Sequence, residues 1–339
     1  MTAGLKIAAI VPCYNEELSV AKVVADLKEA VPGIDVYVYD NASTDDTAKI
    51  ALAAGAIVRH EYNKGKGNVL RRAFADVDAD VYVLIDGDDT YDASAAPRMI
   101  ETLLSGPYDH VLGVRKEDTS TAYRPGHSAG NKAFNGIVSF LFRQRVNDML
   151  SGYRVFSRRF VKSFPAVSRE FEIESELTVH SLSLRIPQTE MSVGFRDRPE
   201  GSESKLSTVK DGTRIMAVVL NLVRHERPIL FHGVLAGILA AVALILGIPV
   251  VATFFETGLV GQFPTAFLAA SLMILAVVTW LIGFVLDAIK HARHESARLR
   301  YLALAPVAAA EILPADATPA SHPLRDDSEE QGVFHNREV

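Results

Sequence analysis

Four carboxylates crowd into a short stretch of the sequence, directly after a run of apolar residues. The run, residues 81–85, is β-branched and aromatic and predicts a buried strand. The carboxylates after it belong to Asp86, Asp88, Asp89 and Asp92. Like charges at one strand end repel one another unless a cation neutralises them, and oxygen ligands suit Mg²⁺ or Mn²⁺. A metal held by Asp86 and Asp88 that bridges a diphosphate is one interpretation. A solvated turn is the other, because Asp and Gly favour turns.

Alternating strands and helices surround these carboxylates and predict an α/β fold. Strands are predicted at residues 7–12, 35–40, 56–59 and 81–85, and helices at 16–30, 45–54 and 68–75. This order favours a mainly parallel sheet flanked by helices, with ligands beyond the carboxyl ends of the strands. The predicted apolar face of the first helix consists of Leu18, Val23, Val24 and Leu27.

The composition and motifs exclude several classes of protein. The net charge is −6 without a basic tract, so we expect no nucleic-acid partner. The segment NKGKGN lacks the spacing of a P-loop. Tyr91 and Pro97 stand where a calcium EF-hand beginning at Asp86 needs glycine and glutamate. The single cysteine, Cys13, fits a reducing compartment, and we expect no cleavable signal peptide before the first strand.

Two long apolar segments follow residue 227. Residues 229–255 contain no charged side chain apart from a titratable His232, and residues 257–286 contain none. Each exceeds the roughly 20 residues that cross a bilayer core, so we predict two membrane helices joined by a loop at 256–264. A buried hairpin of a soluble protein is the alternative. By the positive-inside rule, both flanks face the cytoplasm. The basic residues of those flanks are Arg224, Arg227, Lys290, Arg293, Arg298 and Arg300.

The chain therefore divides into four predicted parts. Residues 1–205 form a cytosolic α/β domain, and residues 206–227 form an amphipathic helix in the headgroup layer, for which a cytosolic core helix is the alternative. Residues 228–289 form the membrane hairpin, and residues 290–339 form a basic flank with a disordered tail. This division predicts a protein of the cell membrane with two spans, whose α/β domain and both termini are cytoplasmic.

Six motifs in order along the chain resemble those of the family 2 glycosyltransferases with the GT-A fold. Within that family they are similar to the branch of dolichol-phosphate mannose synthases and bactoprenol glucosyltransferases. The resemblance spans about residues 7–227, and the trailing apolar pair matches members with two membrane spans. The motifs are IVPCYNEE, DNASTDDT, NKGKGNVLRRAF, DGDDTYD, DMLSGYRVFSRR and RPEGSESKLSTVKDGTRI.

The resemblance implies a donor side at the first strands. Asp86 and Asp88 become the metal-binding DxD pair, with Asp89 as an extra ligand or, alternatively, as a cap of the following turn. Many relatives carry two consecutive aspartates at the second strand end, whereas this chain has Asp40 and Asn41. The resemblance therefore does not decide between a UDP-linked and a GDP-linked donor. The residues implied for binding the donor nucleotide and its diphosphate are Pro12, Tyr14, Glu16, Asp40, Lys66 and Asp86.

The second half of the domain is expected to bind the acceptor. Arginine and lysine suit a lipid phosphate, although an ordinary basic surface is the alternative for Arg115. Asp148 is expected to face the sugar or acceptor as a general base. The residues that the resemblance places near the acceptor phosphate are Arg115, Arg198, Ser204 and Lys205.

The remaining predicted site residues lie between these two groups. The predicted catalytic set is Asp148, Asp88 and Arg154, and Ser151 and Glu176 are further site residues. Two other glutamates of the same helix are assigned to a solvated face. They are Glu172 and Glu174.

The resemblance implies a membrane-anchored, metal-dependent enzyme that inverts the anomeric carbon. Such an enzyme moves a sugar from a UDP- or GDP-linked donor to a polyprenyl phosphate at the cytoplasmic membrane face, for glycan or glycoprotein synthesis at the cell envelope. Relatives include tetramers, and this analogy predicts a homo-oligomer. Two alternatives stay open. One is transfer to another membrane glycolipid or glycan, and the other is a non-catalytic, membrane-anchored scaffold that binds nucleotides.

Overall fold

The computed structural model describes residues 4–117, 136, 139, 142, 146–166, 172–196, 220 and 223–307. Seven described strands form one sheet: β1 (Ile7–Cys13), β2 (Asp35–Asp40), β3 (Ile57–His60), β4 (Val81–Leu84), β5 (His110–Glu117), β6 (Arg154–Ser157) and β7 (Gln188–Phe195). Their order is β3-β2-β1-β4-β6-β5-β7. Neighbouring strands run parallel except at β6, which is antiparallel to both β4 and β5. The predicted α/β fold with a mainly parallel sheet is confirmed.

Helices cover both faces of this sheet. The described helices are α1 (Val20–Ala30), α2 (Thr47–Ala53), α3 (Lys66–Asp76), a 3₁₀ turn (Ala93–Ala95), α4 (Ala96–Ser105), α5 (Arg158–Ser163), α6 (Glu172–Ser183), α7 (Pro228–Thr257) and α8 (Phe263–Leu302). Successive side chains of a strand point to opposite faces. Ala9 and Val11 of β1 therefore pack with α1 and α4, whereas Ala8 and Ile10 pack with α3, α5 and α6.

The first helix begins at Val20, four residues later than predicted. The residues before it form a turn that is tied to the end of β4, because Ser19 Oγ donates a hydrogen bond to Gly87 O at 2.7 Å. Leu18 therefore lies outside the helix and is 61% exposed, so its predicted place in the apolar face is wrong. The other three predicted residues of that face are buried: Val23, Val24 and Leu27.

The two C-terminal helices are long and apolar enough to cross a membrane, judged by length and composition. They pack against each other through mostly small side chains at seven-residue spacing, which is the spacing of closely packed helix pairs. Many of their other apolar side chains are exposed, as expected for surfaces in contact with lipid. The buried residues at this spacing are Ala236, Ala243 and Val250 on α7 and Ala269, Ala276 and Gly283 on α8, and Pro228 and Thr279 of the two helices are buried as well.

The second of these helices continues beyond residue 289, where the hairpin was predicted to end, and it ends at Leu302. Its last turn brings Tyr301, only 3% exposed, into the core on the α5 side of the sheet. Most of the predicted amphipathic helix at 206–227 and the tail from residue 308 lie outside the described residues. The division of the chain into four parts stays a prediction.

Gly283→Leu is expected to destabilise the hairpin, because a Cβ added at Gly283 would lie 3.0 Å from His232 Cβ and 3.4 Å from Pro228 O. Overpacking of this kind costs roughly 1–3 kcal/mol, so the protein in detergent micelles should unfold at a lower temperature. Gly237→Leu on α7 is the matched control, because a Cβ added there meets no described atom within 4 Å. Equal losses in the two variants would contradict the close approach at Gly283.

Candidate functional site

The described residues of the predicted donor side lie at the carboxyl ends of β1, β2 and β4. Cys13 of β1 lies in register with Asp40 of β2, and β4 leads directly into the turn at residues 86–88. Helix α3 begins with Lys66 at the same edge. Ligands of open α/β sheets bind at this edge. The structure thus brings together groups that lie far apart in the sequence.

The ammonium group of Lys66 lies between two carboxylates. Its Nζ contacts Asp86 Oδ1 and lies 2.7 Å from Glu174 Oε1. The side chains of Lys66 and Glu174 are only 8% and 6% exposed. Burial by itself would lower the pKa of Lys66, but the charges of Asp86 and Glu174 outweigh it and hold that pKa above its ordinary value. Burial raises the pKa of Glu174, against the opposing effect of the Lys66 charge.

The assignment of Glu174 to a solvated face is wrong. Glu174 is 5% exposed because α6 packs against the sheet on that side, and its Oε2 has no hydrogen-bond partner among the described residues. Glu174, Thr178 and Ser181 form a buried polar stripe along α6 at helical spacing. That i, i+4, i+7 stripe is the signal in the sequence that could have found this residue. For Glu172, the described structure covers only the backbone.

Two glycines allow the chain to approach the Asp86 turn closely. A Cβ added at Gly152 would collide with the Asp86 carboxylate and lie 2.7 Å from its Cγ. A Cβ added at Gly87 would collide with Cys13 Sγ. The backbone N–H of Gly152 also donates to Tyr91 Oη at 2.8 Å. The turn that carries Gly152 therefore forms one wall of the pocket around Asp86.

The two aspartates after Gly87 have different environments. Asp88 is 7% exposed, and its Oδ1 accepts hydrogen bonds from Thr90 N at 3.2 Å and Thr90 Oγ1 at 2.7 Å. Asp89 has a positive φ of 57° and accepts from Lys22 Nζ of α1 at 3.0 Å. Asp88 is thus braced within its own turn, whereas Asp89 is paired with α1. The metal role predicted for Asp89 stays a prediction.

The donor set at this turn fits a divalent cation. Asp86 and Asp88 offer hard oxygen ligands, and Mg²⁺ is commonly bound by one or two carboxylates together with substrate phosphates and water. Within the described ranges no cluster of three or more His, Cys, Asp or Glu side chains forms a complete protein cage. Mg²⁺ and Mn²⁺ both suit carboxylate ligands of this kind.

Asn41 forms hydrogen bonds that hold the loop before Lys66 in place. Its Nδ2 donates to Glu61 O at 2.9 Å and Asn63 O at 2.8 Å, and its Oδ1 accepts from Gly65 N at 2.7 Å. An aspartate could accept the bond from Gly65 but could not donate the other two. Many relatives carry a second aspartate at this position, and the hydrogen bonds of Asn41 give a structural reason for the asparagine in this chain.

The remaining residues of the predicted donor side lie around Asp40. Asp40 Oδ2 lies 3.1 Å from His60 Nδ1, and Asp40 Oδ1 accepts from Ser43 N at 3.3 Å. Tyr14 Oη accepts from Lys64 Nζ at 3.0 Å. Two further predicted residues lie at this edge. Pro12 is on β1 and half-buried, and Glu16 follows β1 and is 7% exposed.

Arg115 and Asp148 form a bidentate ion pair. Arg115 Nε donates to Asp148 Oδ2 and Arg115 Nη2 to Asp148 Oδ1, both at 2.7 Å. Asp148 is only 4% exposed. The guanidinium also lies 5.3 Å from the ring centre of Phe195, which packs edge-on to Tyr91. The rings of Phe195 and Tyr91 therefore connect this ion pair to Gly152, which packs against Asp86.

Arg154 is fully buried and holds the turn before Gly152. It donates to Met149 O at 2.7 Å and Ser151 O at 2.9 Å, and also to Thr178 Oγ1 at 2.9 Å on α6. Burial lowers the pKa of Arg154 to about 10. Ser151 Oγ in turn donates to Gly113 O. These contacts join the turn to α6 and β5.

The other predicted residues are placed less centrally. Glu176 is half-buried on α6, two positions after Glu174. Three predicted residues of the acceptor side lie outside the described residues, so their roles stay predictions. These are Arg198, Ser204 and Lys205.

Comparison with known proteins gives matches over the same part of the chain. Residues 8–164 match the family model described as Glycosyl transferase family 2. The chain is 33% identical over 233 residues to glycosyltransferase AglJ of Haloferax volcanii, covering 67% of this chain and 75% of that relative. It is 28% identical over 221 residues to a dolichyl-phosphate hexose transferase of the same organism, covering 65% of this chain and 95% of that relative.

A solved structure has a similar fold. Glucosyl-3-phosphoglycerate synthase from Mycobacterium tuberculosis, in complex with Mn²⁺, UDP and glucosyl-3-phosphoglycerate, aligns with a TM-score of 0.54 and 24% identity. The alignment covers 66% of this chain and 80% of the other. At this identity the likeness shows the fold alone.

Lys66→Met is expected to destabilise the protein, because it leaves the buried Glu174 carboxylate without its partner at 2.7 Å. Removing one member of a buried ion pair costs about 3–5 kcal/mol. The double variant Lys66→Met with Glu174→Leu removes both charges, so its loss should be smaller than the sum of the single losses. Thermal unfolding of the four proteins in micelles measures this coupling.

Lys49→Met is the control for removing a lysine charge, because Lys49 is 82% exposed and its nearest carboxylate oxygen is 4.0 Å away. Exposed pairs contribute about 0–1 kcal/mol, so its midpoint of unfolding should hardly move. Strictly additive losses at Lys66 and Glu174 would show that the two side chains do not depend on each other.

Proposed function

The chain belongs to glycosyl transferase family 2, and we propose that it moves a sugar from a nucleotide-sugar donor to a polyprenyl phosphate at a membrane surface. One observation carries the proposal: the Lys66 ammonium contacts the Asp86 carboxylate at the strand ends, beside Asp88. A buried positive charge next to carboxylate oxygens supports binding of a diphosphate together with a divalent cation, because the phosphates need the positive charge and the cation needs the oxygens.

The donor side follows from the same edge of the sheet. Asp40 can accept hydrogen bonds from a base N–H or a ribose hydroxyl, with His60 and the backbone of Ser43 orienting its carboxylate. Lys66 meets the diphosphate as a point charge. The synthase of similar fold is described with Mn²⁺ and UDP, which supports a nucleoside diphosphate donor. Both UDP- and GDP-linked sugars fit the proposal.

Asp86 and Asp88 would hold the divalent cation. When bound, it acts as a Lewis acid that stabilises the negative charge on the departing nucleoside diphosphate. Lys66 supplies further positive charge from the protein in a buried setting, where electrostatic interactions are strong. Glu174 keeps the ammonium in place from the other side, at 2.7 Å. Transfer with inversion requires the acceptor oxygen to attack from the face opposite the diphosphate.

The acceptor is inferred from the attached hairpin. The named relative is a dolichyl-phosphate hexose transferase, and this chain carries two helices of sufficient length and hydropathy to cross a membrane. A polyprenyl phosphate keeps its phosphate in the headgroup plane, so an anchored enzyme meets it there. The basic flanks of the hairpin support a cytoplasmic position of the catalytic domain. Arg115 is the described candidate for contact with the acceptor phosphate.

Asp148 acts on Arg115 in this proposal. Both of its oxygens accept hydrogen bonds from that guanidinium, at 2.7 Å each. A phosphate acceptor is already anionic and needs no strong general base. We therefore assign Asp148 the orientation of Arg115 in place of proton removal. Arg154 is a positioning residue for the turn that carries Gly152, because it is buried and binds backbone carbonyls.

Asp88→Asn is expected to lower the transfer rate about 10²- to 10³-fold, because it weakens the stabilisation of the leaving group. The assay combines the purified protein, Mn²⁺ or Mg²⁺, polyprenyl phosphate and a panel of UDP- and GDP-sugars, with product masses read by mass spectrometry. Chelation should abolish the product. Asp92→Asn is the matched control from the same stretch, since Asp92 caps the 3₁₀ turn through Ser94 N and should keep its rate.

The outcomes of this assay separate the candidate functions. A polyprenyl-phosphate hexose or hexosamine that depends on Asp88 supports the proposal and identifies the donor. Full activity of Asp88→Asn would refute the metal role of this aspartate. Nucleotide binding without any product would indicate either another membrane acceptor or a non-catalytic scaffold.

Gly152→Ala is expected to reduce kcat about 10- to 100-fold, because the added methyl group displaces the Asp86 carboxylate. The affinity of Mn²⁺ in the presence of nucleotide, measured by titration calorimetry, should fall with it. Gly261→Ala is the control, since an added methyl group there meets no described atom within 4 Å. Unchanged Mn²⁺ affinity in Gly152→Ala would show that Asp86 does not bind the metal.

A further inference from the structure

The C-terminal end of α8 contacts the segment before α7 and the catalytic domain along one face. Residues 290, 294, 298 and 301 follow the i, i+4, i+8, i+11 spacing of a single helix stripe. Each of these side chains makes a contact with described residues outside α8. Leu299 and Leu302 lie off this stripe and are 68% and 61% exposed. The helix therefore docks through a defined surface.

At the C-terminal end of α8, Tyr301 contacts a buried cluster around Asp109, just before β5. Asp109 is 1% exposed. Its carboxylate accepts hydrogen bonds from Tyr301 Oη at 2.5 Å, Ser157 Oγ at 2.6 Å and Arg159 Nε at 2.6 Å. The Arg159 guanidinium also lies 4.7 Å from the centre of the Tyr301 ring. Arg159 Nη2 also donates to this carboxylate, so without the phenol it loses one of its four described donor groups, which is costly in a desolvated setting.

Nearer the hairpin, Lys290, His294 and Arg298 join α8 to the segment before α7 and to the end of α6. Lys290 Nζ donates to Glu226 O at 3.1 Å, and His294 Nε2 lies 3.9 Å from Glu226 Oε2. The same Glu226 oxygen accepts from Ser183 Oγ at 3.2 Å. Arg298 Nη1 donates to Leu184 O at 3.1 Å. The end of α6 is thus held by α8, and the beginning of α6 carries Glu174.

We infer that residues 290–302 are a rigid strut that fixes the height and orientation of the catalytic domain over the bilayer, with Tyr301 as its positioning residue. Lys290 binds Glu226 in the segment before α7, whereas Arg298 and Tyr301 bind the domain. An α-helix rises 1.5 Å per residue, so Lys290 and Tyr301 lie about 16 Å apart along one axis. A helix held to the base of the hairpin at one end and to the domain at the other restrains both tilt and rotation of the domain. A single attachment would leave the domain able to swing about it.

The consequence for catalysis rests on the proposed function. A polyprenyl phosphate presents its phosphate at a fixed depth in the headgroup layer, whereas the carboxylates of the site belong to the sheet. The strut sets the distance between these two levels. A soluble, short-chain acceptor can diffuse to the site in any orientation of the domain and does not need the strut.

Tyr301→Ala tests the inference by two measurements on the full-length protein. Reconstituted in liposomes, the variant should lose about tenfold or more of its transfer rate to a long-chain polyprenyl phosphate. In detergent, its rate with a short-chain, water-dispersed isoprenyl phosphate should stay within about twofold. Tyr301→Phe keeps the ring but loses the hydroxyl, so we expect an intermediate loss in liposomes. Leu299→Ala is the matched control on the exposed face of α8 and should behave as the native protein.

Distances between spin labels provide the second measurement, which does not depend on activity. Labels are attached at Lys49→Cys, 82% exposed on the domain, and at Leu235→Cys, 43% exposed on α7, while Cys13 is buried. Double electron–electron resonance in liposomes should give one narrow distance distribution for Tyr301 and a broader one for Tyr301→Ala. An equally narrow distribution in Tyr301→Ala would overturn the strut.

The possible failures are distinguishable. Equal losses with both acceptors, together with a narrow distance distribution, would mean that Tyr301 only stabilises the fold, which contradicts the inference. If the native protein transfers sugar to neither acceptor, the proposed function is wrong, and the distance distributions still decide whether the strut exists.

Discussion

The buried ammonium of Lys66 is the interaction on which the site depends. It lies against Asp86 from the sheet and 2.7 Å from Glu174 of α6. Removing a buried partner would leave a carboxylate desolvated, at a cost of several kcal/mol. The start of α3, the turn after β4 and the start of α6 are therefore held in one relative position. In the proposed function, the same charges that stabilise this arrangement bind a diphosphate and a divalent cation.

Residues from the second half of the sheet also shape the surroundings of the ion pair between Lys66 and Asp86. The turn at residues 149–152 closes against Asp86, and only a glycine at position 152 leaves room for that carboxylate. Arg154 holds the turn by its backbone carbonyls, and Tyr91 accepts the Gly152 N–H. Because these donors are buried, the turn has little freedom to move. A precise pocket wall is thus built by residues that need not touch a substrate.

The hairpin of α7 and α8 is joined to this site by more than a linker. α8 packs against α7 through small side chains and then continues to the domain, where it contacts the end of α6. α6 runs from that contact back to Glu174 and the ion pair. The anchor and the ion pair are therefore connected through one packed helix. This continuity gives a physical route by which the position of the hairpin can affect the site.

Local patterns in the sequence determined the general architecture and the carboxylate turn. The two-residue period of strands, the charge density of residues 86–92 and the length of the apolar segments are readable over short windows, because they reflect burial of one element at a time. They predicted the parallel sheet and both apolar helices. They failed at Leu18, where a turn held by the hydrogen bond from Ser19 to the distant Gly87 stands in place of the first predicted helical turn.

Tertiary structure alone decided which charged groups meet. The solvated face predicted for Glu174 is wrong, since its partner Lys66 is on another helix and periodicity carries no information about the charge that a buried face will contact. The sequence leaves the choice of base open at Asp40 and Asn41, and only the folded chain shows that Asn41 binds the loop before α3. Tyr301 meets Asp109 from 192 positions away. Such pairs form only when the packed sheet brings distant elements together, since the cost of burying a charge is decided by the partner it finds there.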